Sequence, residues 1–289
     1  MNWINGIQNA LNYIEDNITD SLDYTEIARQ AYCSEFYFQR IFNALCGMTI
    51  GEYIRKRRLT LAGIELYVTK SKVIDVALKY GYESPESFTR AFTKFHNIKP
   101  SEARKNGSGL KSFSRLSVKI IMKGGSTMNY RIIEKPAFKV IGKTETHSID
   151  ENQNRNTIPA FWDKAHKTRI IETLLERASD RKYIFGICYG NTRTNQKTFD
   201  YSIAVECPEN VIIPEGYTVS EIPARTRLVT ECTGAMPEAI QKLWHEICTE
   251  FFPTSDYKPT YEMDIEAYPA GDMTSSDYKS QIWIPIEKM

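Results

Sequence analysis

Two nine-residue stretches, fifty positions apart, carry the side chains best suited to reading base edges. Ser34-Glu35-Phe36-Tyr37-Phe38-Gln39-Arg40-Ile41-Phe42 aligns with Ser84-Pro85-Glu86-Ser87-Phe88-Thr89-Arg90-Ala91-Phe92, pairing Ser34 with Ser84, Phe38 with Phe88, Arg40 with Arg90 and Phe42 with Phe92. On a helix the two Phe residues of each copy share one face, and the Arg between them points elsewhere. A guanidinium presented in this way can fork onto guanine, and an amide such as that of Gln39 suits adenine or a phosphate. Between the copies, Arg55-Lys56-Arg57-Arg58 suits phosphate contact or pairing with acidic residues.

A second candidate chemistry lies near the end of the chain. In Tyr261-Glu262-Met263-Asp264-Ile265-Glu266-Ala267-Tyr268 the strict alternation puts three carboxylates and Tyr268 on one face of a strand. Such a strand can be half-exposed, with its acidic side in water. Alternatively Glu266, beside Tyr268, points into an aromatic cavity and binds an organic cation, with each cation–π contact adding about 0.5 to 2 kcal/mol. An unpaired buried carboxylate is costly, so a site of this kind prefers a positive ligand. Phe161, Trp162, Trp244, Tyr261, Glu262 and Trp283 are the other candidates to line it.

The elements that must position these groups are legible around them. Leu22 to Ala28 reads as a short helix, and Gln30-Ala31-Tyr32-Cys33 as the turn before Ser34; Val73 to Leu78 and Tyr80-Gly81-Tyr82-Glu83 repeat that order before Ser84. Each copy is therefore expected to be a helix-turn-helix, with Ser34 and Ser84 as N-caps and Gly81 ending a helix in the left-handed conformation. Ile50 to Thr69 contains no Pro and is expected to form one helix. Twenty residues make a helix about 30 Å long. That length is close to the roughly 34 Å repeat of B-DNA, so one chain could set two recognition helices into successive major grooves.

Composition bounds the rest. A chain of 289 residues, 42% hydrophobic, is long enough for two domains with their own cores. Its net charge of +1 conceals a division, net +6 through Gly125 and −5 thereafter. The basic part holds the helix-turn-helices. The opening residues lack the pattern of a signal peptide and no apolar run approaches a membrane span, so a soluble cytoplasmic protein without membrane contact is expected. The six cysteines show no C-x-x-C spacing and are expected to be reduced packing residues. The four histidines are scattered, and no P-loop, dinucleotide fingerprint or G-x-S-x-G occurs. Neither a metal, a cofactor nor an enzyme is expected.

Gly-rich stretches at 106–109 and 123–127 mark a break. The expected division is a double helix-turn-helix domain over 1–106, a linker over 107–127 and a second domain over 128–289. Beyond Met128 the order is strand, helix, strands, twice over, with helices expected over 158–175 and 237–252. This is an α+β domain of antiparallel sheet, built from a duplicated unit. A duplicated unit leaves a seam, where small-molecule pockets form.

Residues 22–104 resemble the DNA-binding domain of AraC/XylS-type transcription regulators, on Ile27-Ala28, Gln39-Arg40-Ile41-Phe42, Tyr53-Ile54-Arg55, Ile74-Asp75-Val76-Ala77, Tyr80-Gly81-Tyr82, Ser84, Phe88-Thr89-Arg90-Ala91-Phe92 and Pro100. The second half, on Ile265-Glu266-Ala267-Tyr268-Pro269 and Ile282-Trp283-Ile284-Pro285-Ile286, resembles the gyrase-inhibitor-like (GyrI-like) effector-binding domains. The resemblance implies base-reading positions at Phe36, Tyr37, Gln39 and Arg40 and at Glu86, Thr89 and Arg90; Arg55 and Ser87 complete the candidate DNA contacts. It implies double-stranded DNA and RNA polymerase as partners, binding to DNA as a monomer, activation of transcription, and a small cationic or amphipathic effector. Gln281 stands where the effector-domain pattern often has Glu, which leaves more of the charge to Glu266. Two other roles for the second domain compete: hydrolysis of a small molecule with Glu266 and Tyr268 as acid and base, or protein docking without a ligand.

Overall fold

The structure, a computed structural model, describes residues 3–289 except 34, 108, 119–127, 149–152, 190–197 and 261, and not the side chains of 3, 4, 36 and 153–156. The chain forms two compact units, one built from 2–35 and 48–121, the other from 36–47 and 122–289.

The first unit is helical. Helix α1 (Trp3–Asp16) buries Ile7, Ala10, Leu11 and Ile14, an i, i+3, i+4, i+7 stripe. It has no counterpart among the sequence expectations, although that spacing carries it. Helix α2 (Tyr24–Gln30) starts at Asp23, whose Oδ1 accepts from the Thr25 amide at 2.9 Å. Helix α3 (Glu35–Cys46) belongs to the other unit. Helix α4 (Ile50–Thr69) has its expected twenty residues, with Thr49 Oγ1 capping the Glu52 amide at 3.1 Å and Lys70 ending it at φ +57°. Helices α5 (Val73–Lys79) and α6 (Pro85–His96) form the expected helix-turn-helix. Gly81, at φ +77°, turns the chain between them, and Ser84 Oγ caps α6 by accepting from the Ser87 amide at 3.1 Å. The cap expected at Ser34 lies outside the described residues. After helix α7 (Pro100–Asn106), the unit's core joins Leu59, Ala62 and Leu66 to Val76, Ala77, Phe88, Phe92 and Ala103.

Two of the four clustered cations are internal ties. Arg57 forks onto the Glu15 carboxylate at 2.8 and 2.9 Å, and Arg58 donates to the carbonyls of Ile18 and Asp20 at 2.8 and 2.7 Å. Arg55 is exposed. Part of the segment expected as a linker is fastened to the same helices: the amides of Lys111, Phe113, Leu116 and Val118 donate to His96 Nδ1, Thr60 Oγ1, Tyr53 Oη and Gln8 Oε1 at 2.8 to 3.2 Å.

The second unit joins α3 to an antiparallel sheet. Its strands are β1 (Tyr130–Lys135), β2 (Phe138–Ser148), β3 (Tyr183–Tyr189), β4 (Thr198–Glu206), β5 (Thr218–Ile222), β6 (Arg225–Thr233), β7 (Tyr257–Pro259), β8 (Met263–Pro269) and β9 (Lys279–Lys288), in the order β1-β6-β9-β8-β3-β4-β2-β5 with β7 on β9. The helix expected over 158–175 is two, α8 (Gln153–Lys167) and α9 (Ile170–Leu175). Helix α10 (Glu238–Glu246) follows Pro237 and runs on through a π-turn at Ile247–Phe251.

The strand order is two-fold. β2-β4-β3 corresponds to β6-β9-β8, and each half lends its first strand to the other, β1 to β6 and β5 to β2. Only Pro136-Ala137 joins β1 to β2 and only Pro223-Ala224 joins β5 to β6, although each joined pair stands at opposite ends of the strand order. Such a connection reaches about 11 Å at most, so the sheet must curl into a half-barrel. Inside the curl one cluster joins Val140 and Ile222 to Val229, Ile265 and Trp283. Outside, α8 and α9 pack Phe161, Ile170 and Leu174 on Phe199, Tyr201 and Ile203.

The pH dependence of folding tests the described strap. His96 Nδ1 accepts from the Lys111 amide, so Nε2 carries the proton and donates to the Leu59 carbonyl at 3.0 Å. Burial lowers its pKa below the ordinary 6.5, against the Leu59 bond. The fold therefore favours neutral imidazole, and this stability is present above pH 6.5 and lost as the pH falls below it. Urea unfolding of the full chain is expected to show a steeper loss there than the His96→Asn variant; equal slopes would contradict it.

Candidate functional site

The two halves of the sheet meet where β3 pairs with β8. The register sets Ile184 opposite Tyr268, Gly186 opposite Glu266 and Cys188 opposite Asp264, and sets Cys188 opposite Tyr201 on β4. Directly opposed residues share a face. Asp264, Glu266, Tyr268 and Tyr201 therefore gather on the outer, helix-covered face. Trp162 of α8 donates from Nε1 to Tyr201 Oη at 2.9 Å and meets the Tyr268 ring edge-on, 5.2 Å between centroids. Trp244 of α10 donates to Glu266 Oε1 at 3.0 Å, and the Tyr268 hydroxyl donates to Oε2 at 3.0 Å. Each oxygen of Glu266 is thus held by a ring-borne donor before any cation is considered.

The cation present is Arg40 of α3. Its Nη1 lies 3.1 Å from Asp264 Oδ2 and its Nη2 3.2 Å from Glu266 Oε1, while Cζ stands 3.8 Å above the Trp244 ring centroid. His245 Nδ1, 2.9 Å from the Ala44 carbonyl, ties the end of α3 to α10. The side chains of Asp264, Glu266 and Arg40 are 5%, 17% and 22% exposed, so the charges face each other with little water between them. Burial pushes the Asp264 carboxyl up to about 6, opposed by Arg40 and reinforced by Glu266. Burial alone would lower the Arg40 pKa; Asp264 first, with Glu266 and others, raises it. The phenols of Tyr201 and Tyr268 are raised by burial and by the Glu266 charge. Two carboxylates at the edges of a planar cation and an indole on its face make a site that binds and orients a delocalised positive charge.

Several expected residues stand elsewhere. Glu262 precedes β8 and forks onto Arg225 at 2.8 and 2.9 Å, so it does not join Asp264 and Glu266. Trp283 pairs in register with Ile265, the opposite face from Glu266, and packs inside the curl on Phe185. There it lines a cavity of about 220 Å³ with Lys135, Tyr183 and others, separate from the acidic site. Phe161 is buried in the core beneath α8, and Tyr261 lies outside the described residues. On α3, Tyr37 is buried, and the side chain of Phe36 is not described. On α6, Glu86 and Arg90 are exposed, Thr89 is half-buried, and the Ser87 hydroxyl donates to the Ser84 carbonyl at 2.8 Å. Gly186 and Tyr201 were not anticipated at the site: they are far from Glu266 in sequence, and only the register across β8, β3 and β4 brings them there. Among the described residues no group of His, Cys, Asp and Glu could hold a metal, the six cysteines are free, and no helix is long and apolar enough to cross a membrane.

Comparison with known proteins accounts for both units. A helix-turn-helix domain family matches residues 27–106, and the family of integron-associated effector binding proteins matches 131–286, more than half of the chain. The transposon Tn10 TetD protein of Escherichia coli is 42% identical over 100 residues, 35% of this chain and 72% of that protein. The HTH-type transcriptional activator AarP of Providencia stuartii is 38% identical over 114 residues, 39% of this chain and 84% of AarP. Among solved structures, SAV2435 bound to tetraphenylphosphonium is 23% identical, with a TM-score of 0.49 over 55% of this chain and 94% of that one. The fold and matches define a DNA-binding transcription regulator with an effector-binding domain. The chain belongs to the AraC/XylS family, with a C-terminal domain of the integron-associated, GyrI-like effector-binding family.

Gly186 sets the space around Glu266. A Cβ there would lie 2.1 Å from Tyr201 Oη, 3.0 Å from Tyr201 Cζ and 3.5 Å from Glu266 Oε2. Gly186→Ala must displace the Tyr201 ring and its bond from Trp162, and is expected to cost about 1 to 3 kcal/mol in unfolding free energy, as overpacked cores do. An unchanged unfolding midpoint would show that the crowding at Gly186 is absent.

Proposed function

We propose that this regulator binds one asymmetric DNA site as a monomer, sets α3 and α6 into successive major grooves, activates transcription through RNA polymerase, and responds to a small cationic or amphipathic effector at Glu266. The DNA-binding domain is taken as 1–106 and the effector domain as 128–289, joined by 107–127. The observation that carries the two-groove mode is α4: a single helix of twenty residues, about 30 Å long, lies between the two helix-turn-helix copies in sequence. Arg90 and Glu86 stand exposed on α6, and Thr89 beside them completes its reading surface. Phe36, Gln39 and Arg40 are the corresponding readers on α3, with Arg55 for a phosphate; Tyr37, expected among them, is buried and serves the packing of α3 instead. Activation is supported by the similarity to AarP, a transcriptional activator by name. The effector role is supported by the paired carboxylates and indole around a cation.

Footprinting on a duplex selected from a random pool is expected to show protection over about two helical turns, roughly 20 base pairs. Arg90→Ala is expected to lower affinity by about 1 to 3 kcal/mol and to relax specificity at one base pair. Protection shorter than one turn, or affinity indifferent to Arg90→Ala, would contradict the two-groove mode. For the effector site, calorimetry of the full chain with benzamidine or tetraphenylphosphonium is expected to show binding near neutral pH that weakens as the pH falls through about 6, where Asp264 takes up its proton and loses its charge. Silent titrations with both, or affinities level across that range, would contradict it.

A further inference from the structure

Arg40 carries two roles that one guanidinium cannot fill at once. It is the leading base-reading candidate on α3, and it is the cation seated against Asp264, Glu266 and Trp244. We propose that Arg40 is the resident ligand of the effector site, and that the effector is a planar cation bearing N–H donors, an amidinium or guanidinium on an apolar body, which takes over these contacts and frees Arg40 for DNA. The proposal rests on the reading of Glu266 as the centre of the effector site.

The class of effector follows from what Arg40 satisfies. Nη1 and Nη2 donate to two different carboxylates at 3.1 and 3.2 Å while Cζ stands over the indole, 3.8 Å from the ring centroid. Only a flat, delocalised cation with divergent N–H groups meets all three demands. A tetrahedral phosphonium or quaternary ammonium supplies charge but no donor, and it presents bulk where Arg40 presents a plane. Trp162, Tyr268 and Tyr201 pack on one another next to Glu266, so the wall beside the carboxylates is aromatic.

The exchange also follows from electrostatics. Emptying the site would leave two buried carboxylates uncompensated. Replacing one planar monocation by another leaves the charge of the site unchanged. Glu266 keeps its bonds from Trp244 and Tyr268 throughout, so the receptor side is preorganised for whichever cation is present. Because the resident cation is tethered to the recognition helix, effector binding and release of Arg40 are one event, and the coupling is reciprocal.

The test uses the full chain, benzamidine as the probe and a 30-base-pair duplex selected from a random pool. Benzamidine is expected to bind more tightly than tetraphenylphosphonium and to strengthen binding of the duplex on the order of tenfold, within the usual range of such coupling. The double variant Asp264→Asn, Glu266→Gln, which loosens the hold on Arg40 with near-isosteric groups, is expected to bind the duplex as tightly without benzamidine as the unaltered chain does with it. Arg40→Gln, which removes the competitor, is expected to bind benzamidine more tightly. If the double variant loses benzamidine binding while its DNA affinity stays at the unliganded level, the effector site stands and the Arg40 switch falls. Benzamidine affinity equal or weaker in Arg40→Gln also overturns the switch, and preference for tetraphenylphosphonium overturns the planar class. Neither probe binding to the unaltered chain or to Arg40→Gln would remove the effector site itself. The two wild-type comparisons need no variant, so they decide the matter even if a substituted chain fails to fold.

Discussion

Two carboxylates on the covered face of a sheet cannot stand there without a counter-charge. Asp264 and Glu266 share one face of β8 beneath α8 and α10, where water is scarce and an unpaired charge is expensive. Losing one partner of such a buried pair typically costs about 3 to 5 kcal/mol. While both are ionised the arrangement therefore requires a cation, whether built into the chain or brought from outside. The structure meets that need with Arg40. The raised pKa of Asp264 is the residue of the same conflict, since burial resists the charge that Arg40 favours.

The topology creates the conflict. Each half of the duplicated sheet ends in an inner strand, β3 or β8, and these pair with each other at the centre. The exchange of β1 and β5 between halves, through two-residue connections, forces the sheet to curl and leaves its outer face to the helices. One helix from each half then delivers a Trp to the seam, Trp162 to Tyr201 and Trp244 to Glu266. Gly186 leaves room for these rings, because any side chain there would collide with Tyr201. The helical unit solves a different problem: α4 spans between the two recognition copies in sequence, and its cations Arg57 and Arg58 bind α1 and the chain after it.

Much of this was legible in the chain. The fifty-residue echo located α3 and α6, the Pro-free run bounded α4, and the β-branched runs located most strands. Period-two alternation placed Glu266 and Tyr268 together, but alternation cannot say where a strand begins. Glu262 fell just outside β8 and found Arg225, whereas Asp264, one step further in, joined Arg40. Trp283 lay on a strand buried on both faces, where composition carries no sign of which face a residue takes. Tyr201 and Gly186 depend on register between distant strands, which no local pattern encodes. Two further signals are present in the chain: the apolar stripe of α1, and the repeat Glu134-Lys135-Pro136-Ala137 and Glu221-Ile222-Pro223-Ala224, which marks the two swapped connections. That Arg40 faces Asp264 lies beyond any sequence reading, since its own helix spacing only directs it away from Phe38 and Phe42.

In the proposed switch the same guanidinium links the two units' chemistries, since a group held by Asp264 and Glu266 is withheld from any other partner. The most direct measurement is a crystal structure of the full chain with benzamidine bound. The amidinium is expected between Asp264 and Glu266 over the Trp244 ring, with Arg40 withdrawn from both carboxylates. An Arg40 still bridging them, with benzamidine elsewhere on the protein, would contradict it.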